Sequence, residues 1–484
     1  MSVSQSQVPD LMKLSAIPTD LEQKVDTDVL EPVVFSQDFC RFTLPRKGFL
    51  HSFSSLVLAL DKPSANPNAT LPTNIGIHSL VERATLKVGA KTICEIEDFS
   101  NYMGYKSMFI DNDINQERES VISGRITAHK MEFANLSSTN ASSYTIDNNT
   151  YKFQDTLLAA PFAKTFRPTY SAGGQASASF VEAGYQVKDN LLLVNAPELR
   201  ISLADLFPFL RFNQLPLYMI NDDISIEIVW TPQDSSRRFV VQDTGSDATE
   251  RLNITQNSVK LIGDFIFYNG ETMTEYADAN KEMNFNFVDY RLTKRTYAYD
   301  DTTQQILNVG GAGRIVNKMF VAMGQDSASN VGLLNTYVAQ APSLSGSNVG
   351  RLTTNVRYND HYLYPIDRTL GAIQFHDIVQ TEQNVPYISK DEYNQEAGGS
   401  GGGGLNTNAA DGYNGFAMDD EWRGLYMYQA HRLNRNERIN SRGIELETQY
   451  NLDLAGSANY TQRVWIELLK TATLVNGEMD IFFS

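Results

Sequence analysis

Residues 443–454 read GIELETQYNLDL, and this stretch constrains the fold more than any other part of the sequence. Ile, Leu, Thr, Tyr, Leu and Leu occupy the even positions, while Glu, Glu, Gln, Asn and Asp occupy the odd positions between them. Side chains alternate between two faces with a period of two in a strand and about 3.6 in a helix. A helix cannot present this alternation over so long a run, so the pattern predicts a half-buried strand.

Other segments repeat the same short, amphipathic pattern between turn residues, and helical spacing is sparse. Asn476-Gly477, between two apolar runs, is a hairpin signal. We predict strands at 42–50, 54–61, 224–230, 259–268, 315–323, 354–357, 464–469 and 479–483. We predict short helical segments at 75–81, 98–109, 203–212 and 271–280. Many strands, few helices and long polar loops indicate an all-β protein of sandwich or barrel type.

The strand pattern divides the chain into two blocks of similar length. Residues 1–32 are polar and contain three prolines, so we expect an extended arm, and residues 33–235 form the first block, with a long loop insertion at about 130–190. The polar segment 236–251 is the expected connector, and 252–484 form the second block. The run EAGGSGGGGLNT falls in a glycine-rich loop at 397–412. The strands that follow it are too few to bury a sheet alone, so the glycines interrupt the second block and do not join two domains.

Composition excludes several classes of protein. Asp and Glu outnumber Lys and Arg by 57 to 40, a net charge of -17 that repels phosphate backbones and favours solubility. The two cysteines, Cys40 and Cys94, are too few for a disulfide scaffold, and we expect reduced, buried thiols. The N-terminal sequence shows no signal-peptide pattern, and no run of about 18 apolar residues predicts a membrane-spanning helix.

Motifs that carry chemistry are missing from the sequence. No Lys-Ser/Thr pair follows the glycine run, as a phosphate-binding loop requires, and Gly310-Gly311-Ala312-Gly313 indicates a tight turn. HExxH and GxSxG are absent, and paired carboxylates such as Glu95 and Glu97 are expected on any acidic surface. The six histidines are too scattered in sequence to suggest a metal site: His51, His78, His129, His361, His376 and His431. We therefore predict no catalytic, cofactor-binding or metal site, and a protein that is not an enzyme.

The densest basic region allows two interpretations. Arg432, Arg435, Arg438 and Arg442 lie near Trp422, Tyr426 and Tyr428, a composition that single-stranded nucleic acid also selects. Glu437 and Glu445 lie close enough to neutralise these arginines. Because binding a phosphate backbone takes several uncompensated charges, we favour salt bridges.

Three stretches of this chain resemble the double jelly-roll major capsid proteins of tailless icosahedral DNA viruses, in the polinton-like virus and virophage branch related to giant-virus capsid proteins. LADLFPFLRFNQLPLYMINDDISIEIVWTP is similar to the end of that family's first jelly roll. VKLIGDFIFYNGETMTEYADANKE is similar to the opening of the second, where a strand leads into an acidic helix. RLNRNERINSRGIELETQYNL and YTQRVWIELLKTATLVNGEMDIFF are similar to the closing strands.

The resemblance implies two antiparallel eight-stranded jelly-roll sandwiches in tandem. Three chains would form a pseudo-hexagonal capsomer, and capsomers would form an icosahedral shell around a DNA genome. The partners implied are further copies of the chain, neighbouring capsomers, and penton and minor capsid proteins. The N-terminal arm would face the interior of the particle, near an inner membrane if there is one. The location implied is the virion, assembled inside the host cell without a signal peptide, with no sequence-specific binding of nucleic acid.

Two other functions fit part of the pattern. A carbohydrate-binding or carbohydrate-active β-sandwich would use aromatic-rich loops, and it would need a cleft with a carboxylate of raised pKa beside an exposed Trp or Tyr. Of the three tryptophans, Trp230 and Trp465 fall within strand patterns, which leaves few residues for stacking on sugars. A minor capsid or spike protein usually needs one jelly roll, not two.

Overall fold

A computed structural model of the 484-residue chain describes most of both blocks. The described residues are 24–60, 69–70, 75–106, 122–123, 143–146, 149–152, 168–169, 179–180, 199–233, 238, 240–241, 253–297, 304–325, 351–369, 372–382, 428–433, 437–451 and 460–483. The glycine run 398–404 and most of the predicted loop 130–190 lie outside them.

The first part of the chain contributes seventeen strand segments among the described residues. They are β1 (Lys24–Leu30), β2 (Val34–Phe35), β3 (Phe39–Leu44), β4 (Phe49–Leu50), β5 (Ser55–Leu58), β6 (Ala69–Thr70), β7 (Val81–Val88), β8 (Lys91–Glu97), β9 (Ser143–Ile146), β10 (Asn149–Lys152), β11 (Pro168–Thr169), β12 (Ser179–Phe180), β13 (Leu199–Ser202), β14 (Leu215–Pro216), β15 (Ile224–Trp230), β16 (Val240–Val241) and β17 (Lys260–Phe267).

Two antiparallel sheets built from these strands form the first sandwich. Sheet I has the order β2-β3-β15-β7-β8, and sheet II has the order β13-β5-β17-β4-β14, with β1 paired along β17. Ile224, Ile226 and Ile228 of β15 are fully buried, as the alternation in the sequence predicts. The small pairs β6–β16, β9–β10 and β11–β12 lie outside both sheets.

The second part contributes ten strand segments among the described residues. They are β18 (Glu282–Tyr297), β19 (Gln304–Gly310), β20 (Val316–Gln325), β21 (Arg351–Tyr358), β22 (His361–Tyr362), β23 (Arg368–Thr369), β24 (Tyr428–Arg432), β25 (Ile444–Asn451), β26 (Tyr460–Val475) and β27 (Glu478–Phe483).

These ten strands form the second antiparallel sandwich. Sheet III has the order β18-β26-β20-β24, with β27 paired to β26, and sheet IV has the order β19-β25-β21-β22, with β23 paired to β21. Asn476 and Gly477 both have positive φ, at 51° and 87°, and join β26 to β27 as the predicted hairpin. The all-β prediction with two antiparallel sandwiches is confirmed.

The described helices are few and short, as predicted. They are α1 (Phe99–Lys106), α2 (Leu203–Leu206), α3 (Phe209–Phe212), α4 (Gly270–Ala279) and α5 (Ala372–Glu382), together with the 3₁₀ segments Gly76–Leu80 and Leu217–Met219. Pro208 separates α2 from α3, because proline lacks the N–H that a continuous helix would need. Asn269 caps α4 by accepting a hydrogen bond from the N–H of Thr272.

Sheet III is buried on both faces along much of its length. Val464, Ile466 and Leu468 of β26 pack into a core shared with sheet IV, whereas Trp465 between them belongs to the core of the first sandwich. A strand buried on both faces reads as a near-continuous apolar run, which explains the segment VWIELL. The core of the first sandwich therefore extends into the second through Phe285, Phe287, Tyr290, Phe320, Ala322, Ile378, Ala430, Trp465, Ala472, Leu474 and Met479.

Strand pairing crosses the expected domain boundaries at both ends of the first block. β17, assigned from sequence to the opening of the second jelly roll, pairs with β1, β4 and β5 in sheet II of the first sandwich. Residues 24–30 of the predicted arm form β1 in the same sheet. Within the predicted connector 236–251, Val240 and Val241 pair with β6, and Arg238 is buried. Local polarity marked 236–251 as a linker, but pairing between distant strands decides which sandwich each segment joins.

Strand β25, which has the clearest alternation in the sequence, also shows one difference. Ile444, Leu446 and Thr448 are buried as predicted, yet Glu447 on the opposite face is only 9% exposed. Its carboxylate accepts hydrogen bonds from Gln304 at 3.0 Å and from Tyr362 at 3.1 Å. These neighbouring side chains from β19 and β22 cover the carboxylate, a contact that alternation alone does not reveal.

Candidate functional site: the junction between the two sandwiches

The junction is the surface where helix α1 and strand β8 of the first sandwich pack against sheet III of the second. Asp98 lies between β8 and α1, with φ of 52°, and its carbonyl accepts a hydrogen bond from the N–H of Tyr102 at 3.1 Å. Aspartate tolerates this left-handed conformation better than most residues do. The turn at Asp98 directs α1 across sheet III, where Phe99, Tyr102 and Tyr105 are buried.

Asp98 holds two cations of the second sandwich. Arg463 Nε of β26 donates to Asp98 Oδ2 at 2.8 Å, and Lys294 Nζ of β18 lies 2.8 Å from the same oxygen. Asn101 donates to the other carboxylate oxygen at 2.6 Å. The Asp98 side chain is fully buried and that of Arg463 is 5% exposed. A charge so buried is tolerated only when it is paired and hydrogen-bonded, so this contact fixes the position of α1 on sheet III.

Aromatic rings from both sandwiches stack in the junction. The rings of Tyr105 and Phe320 lie 4.7 Å apart and nearly parallel, and Phe320 stacks in turn on Trp465 at 5.2 Å. Trp465 Nε1 donates to the carbonyl of Glu97 at 3.3 Å, which ties β26 to the end of β8. Offset stacked rings stabilise by about 0.5–1.5 kcal/mol beyond the area they bury.

A second buried ionic cluster lies at the other end of α1. Lys106 Nζ and Lys318 Nζ lie 3.1 and 2.6 Å from Glu382 Oε2, and Lys318 Nζ lies 3.6 Å from Glu467 Oε2. Tyr105 donates to Glu382 at 2.9 Å, Tyr290 donates to Glu467 at 2.9 Å, and Asn317 also donates to Glu467. The cluster joins α1 of the first sandwich to β20, β26 and α5 of the second.

Burial and pairing shift the pKa values of these groups in opposite directions. Burial lowers the pKa of Lys106 to about 8, against the opposing effect of Glu382. Burial acts to raise the pKa of Glu382, but the neighbouring Lys106 and Lys318 outweigh it and lower that pKa to about 2. For Lys318, the effect of burial is outweighed by Glu467 and Glu382, which raise its pKa. The two lysines and two glutamates cancel in charge, so the cluster connects the sandwiches without leaving a net buried charge.

Three further contacts extend the junction along β8 and the β26–β27 hairpin. The N–H of Glu95 donates to Asp289 Oδ1 of β18 at 3.4 Å, and Lys91 pairs with Asp480 of β27. The N–H of Asn221, in the first sandwich, donates to the carbonyl of Gly477 at 2.9 Å. A side chain at position 477 would overlap the Asn221 amide, so glycine is required there for docking as well as for φ.

A polar cavity of about 430 Å³ lies in the second sandwich, beside helix α5. It is lined by Tyr364, Arg368, Asp377, Gln380, Thr381 and Arg432. Burial outweighs the neighbouring Arg368 and raises the pKa of Asp377, whose carboxylate lies 3.1 Å from Arg368 Nε. The Arg368 guanidinium stacks over the Tyr364 ring at 4.2 Å, and the Tyr364 hydroxyl contacts His431 Nδ1 at 2.8 Å. The Arg368 guanidinium therefore covers the ring of Tyr364.

Of the residues singled out from the sequence, Glu95 and Glu97 reach the junction through their backbone atoms. Cys40 and Cys94 are free and buried, as predicted. Arg442 pairs with Asp360 at 2.5 Å, and Glu445 with Arg357 at 3.8 Å, so salt bridges are present here, with partners other than those suggested by closeness in sequence. Arg432 lines the cavity, and Arg435, Trp422 and Tyr426 lie outside the described residues.

Sequence reasoning missed the residues that build the junction: Asp98, Lys106, Lys294, Lys318, Glu382, Arg463 and Glu467. One signal was present in the segment YTQRVWIELLK. Arg463 and Glu467 lie two residues before and after Trp465, so all three side chains fall on one face of a strand that is otherwise apolar. Charged residues on a face with a tryptophan indicate a second, partly polar interface. The partners on α1 and α5 carry no such local signal.

Across the ranges given above, no group of three or more His, Cys, Asp or Glu side chains is arranged to hold a metal ion. The described helices include none long and apolar enough to cross a membrane.

Known structures resemble this chain in fold, whereas comparisons of its sequence find no match. No family model matches the sequence, and no curated protein matches it. The PBCV-1 virus capsid aligns over 96% of this chain and 97% of that chain, with a TM-score of 0.52 and 10% identity. The Faustovirus major capsid protein aligns over 96% and 93%, with a TM-score of 0.52 and 9% identity. A chain of the Sputnik virophage aligns over 98% and 92%, with a TM-score of 0.52 and 11% identity. The chain therefore has the double jelly-roll fold found in these viral capsid structures.

Proposed function

We propose that this chain is the major capsid protein of an icosahedral DNA virus and that it acts as a structural protein without catalysis. The observation that carries the proposal is the junction: two sandwiches share one continuous core and two buried ionic clusters. The solved structures with the same fold, among them the Faustovirus major capsid protein, support the same assignment.

A fixed junction is what a pseudo-hexagonal capsomer needs. Three chains place six sandwiches around one axis only if each chain holds its two sandwiches at a constant relative position. A polar linker would let the two sandwiches move, since relative motion is the default unless an interface is large and apolar. Here Trp465, Phe320 and Tyr105 stack across the interface. The assembly unit we propose is a homotrimer closed by threefold symmetry.

The proposed capsid role implies the binding partners of the chain and its location in the virion. The chain would contact two further copies in its trimer, neighbouring capsomers, and penton and minor capsid proteins, all within the virion and after assembly inside the host cell. The residues of the predicted arm that precede β1 would face the particle interior. With a net charge of -17, the chain would enclose a genome without sequence-specific contact to it.

The mass of the purified full-length chain in solution tests the proposal. We expect a stable species of about three times 54.1 kDa that persists on dilution. A folded chain that stays monomeric at every concentration and salt condition would contradict the proposed capsid role.

A carbohydrate-binding function is the second candidate, because the cavity beside Asp377 contains a carboxyl group of raised pKa next to a tyrosine. Two observations weigh against it. The Tyr364 ring is covered by Arg368, and Trp230 and Trp465 are buried in the cores and cannot stack on a sugar. Titration with neutral and acidic sugars, followed by NMR, tests this candidate: saturable shifts that disappear in Asp377→Asn would favour it. The minor capsid or spike alternative expects one jelly roll, whereas this chain has two sandwiches.

A further inference from the structure

The polar cavity beside α5 has walls from three elements of the second sandwich. Asp377, Gln380 and Thr381 lie on α5, Arg368 lies on β23, and Arg432 lies on β24. The cavity volume of about 430 Å³ falls within the usual range for small-molecule pockets, about 300–1,000 Å³. Such pockets are mostly apolar, whereas each described side chain of this lining carries a polar group. The cavity therefore suits a small polar ligand.

The Arg368 guanidinium in this lining is incompletely paired. Its Nε lies 3.1 Å from Asp377 Oδ2, which is within ion-pair distance. The N–H is not aligned with that oxygen, and this buried Nε has no hydrogen-bond acceptor among the described residues. A guanidinium has five N–H donors and pairs best with an oxyanion through two parallel bonds. Because Asp377 does not form that pair, Arg368 keeps donors for a second oxyanion, and its side chain is 31% exposed.

Arg432 and Thr381 add donors that also lack partners. Arg432 is exposed, and no acidic side chain in the described ranges pairs with it. Thr381 is only 8% exposed, yet none of the described residues hydrogen-bonds its hydroxyl. Most buried hydroxyl groups in folded proteins are hydrogen-bonded. An unpartnered hydroxyl in the wall of a cavity therefore indicates where a ligand oxygen would lie.

The charge of the lining indicates the sign of the ligand. Arg368 and Arg432 contribute two positive charges and Asp377 one negative charge, in a chain whose net charge is -17. A local positive excess attracts anions that the rest of the chain repels. Guanidinium groups match the oxygens of phosphate and carboxylate groups. The one aromatic ring among the described lining residues, Tyr364, is covered by Arg368, so it is not free to stack on an aromatic ligand.

We propose that this cavity binds a small, non-aromatic oxyanion, a molecule that carries a phosphate or carboxylate group, between Arg368 and Arg432. The Thr381 hydroxyl is a further donor to it. The bound anion would connect α5 to β23 and β24. Glu382 follows Thr381 in α5 and belongs to the ionic cluster of the junction, so the ligand would also hold that end of α5 in place. The site lies within one folded chain and does not depend on the proposed capsid role.

Calorimetric titration of the full-length chain tests the chemical class of the ligand. The probes are inorganic phosphate, succinate and glycerol, at an ionic strength held constant with sodium chloride because salt screens charges. We expect saturable binding of phosphate, of succinate or of both, at one site per chain, and no binding of glycerol. Whichever anion binds more tightly identifies the preferred group. Binding of glycerol alone, or of none of the three, would overturn the proposal.

Two variants with a matched control test the residues. Arg432→Gln should weaken binding of the preferred anion by about tenfold or more, because charge-assisted hydrogen bonds are lost. Arg46→Gln removes the same charge from an exposed arginine of the first sandwich and should bind as wild type does. Asp377→Asn removes the carboxylate that competes for Arg368, so it should bind the anion more tightly. A carbohydrate site that depends on this carboxyl group predicts the opposite, a loss of binding.

The results separate a specific site from general attraction of anions. Equal affinities of Arg432→Gln and Arg46→Gln, or loss of binding in Asp377→Asn, would overturn the proposal. Because Arg432 is exposed, we expect Arg432→Gln to fold, and its unfolding temperature without ligand checks this. Saturating anion should raise the unfolding temperature of the wild type more than that of Arg432→Gln. If Asp377→Asn does not fold, the two arginine variants decide the proposal.

Discussion

Asp98 and Arg463 form a salt bridge of 2.8 Å that joins the two sandwiches, with both side chains shielded from solvent. They are 365 positions apart in the sequence, and Lys294 completes the contact from the neighbouring strand β18. A rigid double sandwich depends on such contacts, since apolar packing alone allows more than one orientation. Buried polar contacts can select one of these orientations.

Asp98→Asn should destabilise the protein strongly. The substitution keeps a residue that tolerates positive φ but leaves Arg463 buried without its carboxylate, which typically costs about 3–5 kcal/mol. Asp360→Asn is the matched control, because Asp360 also has positive φ, 65°, and also pairs with an arginine, but it is 60% exposed. We expect a change below about 1 kcal/mol there. Urea denaturation measures both; equal losses would contradict a special role for the buried pair.

Gly477→Ala should weaken the docking of the hairpin on the first sandwich. Gly477 has φ of 87° and faces the Asn221 amide, so alanine is unfavourable for conformation and for contact. Gly313 has φ of 72° with open space around its Cα, so Gly313→Ala reports the conformational cost alone, about 1 kcal/mol. We expect Gly477→Ala to cost about 1–2 kcal/mol more than this control. Adding Asn221→Ala should recover part of the difference in thermal denaturation, and no recovery would mean that the two residues do not meet.

Phe320→Ala should remove the central ring of the junction stack. Loss of a fully buried phenylalanine typically costs about 3–5 kcal/mol of unfolding free energy. Phe482→Ala removes the same atoms from a ring that is 57% exposed, and we expect a much smaller loss. Chemical denaturation followed by circular dichroism distinguishes them, and similar losses would show that the stack contributes little.

The protein should lose stability in mild acid through His431. Burial, with a smaller effect of Arg368, lowers the pKa of His431 from its ordinary 6.5 to about 3. Between pH 6.5 and 3 the unfolded chain binds a proton at this residue that the folded chain does not. Stability from this group is therefore complete above pH 6.5 and falls as pH decreases, by about 1.4 kcal/mol per pH unit.

A variant that lacks only His431 isolates this contribution. His431→Asn should flatten the dependence of unfolding free energy on pH between 6.5 and 5, while His361→Asn, which removes an exposed imidazole, should keep the wild-type slope. Glu382, with its pKa near 2, adds acid sensitivity only below about pH 4.5. Identical slopes in all three proteins between pH 6.5 and 5 would refute the assignment to His431.

The sequence predicted the elements of this fold better than their arrangement. Alternation located β15, β17, β25 and β26, and Asn476-Gly477 located a hairpin, because these signals are local. Local signals near 236–251 could not show that β17 joins sheet II by pairing with β1 across more than 230 residues. Pairing between strands so far apart in sequence depends on which strand edges remain unpaired after strands closer in sequence have paired.

The junction was hidden for a related reason. Lys106, Lys318 and Glu382 resemble ordinary surface charges in sequence, and their burial follows only from the meeting of α1, β20 and α5. Arg463 and Glu467 beside Trp465 were visible as polar residues in an apolar strand, but their partners were not. The resemblance to capsid proteins supplied the two-sandwich arrangement, and the contacts that hold it together come from the structure.

Electron microscopy of the purified full-length oligomer, averaged along its symmetry axis, tests the central claim most directly. The central claim is that each chain contributes two rigidly joined sandwiches to a threefold unit. It predicts six lobes of density around the axis, arranged as a near-hexagon with threefold symmetry. Three single lobes, a variable distance between paired lobes, or an elongated particle without a threefold axis would contradict it.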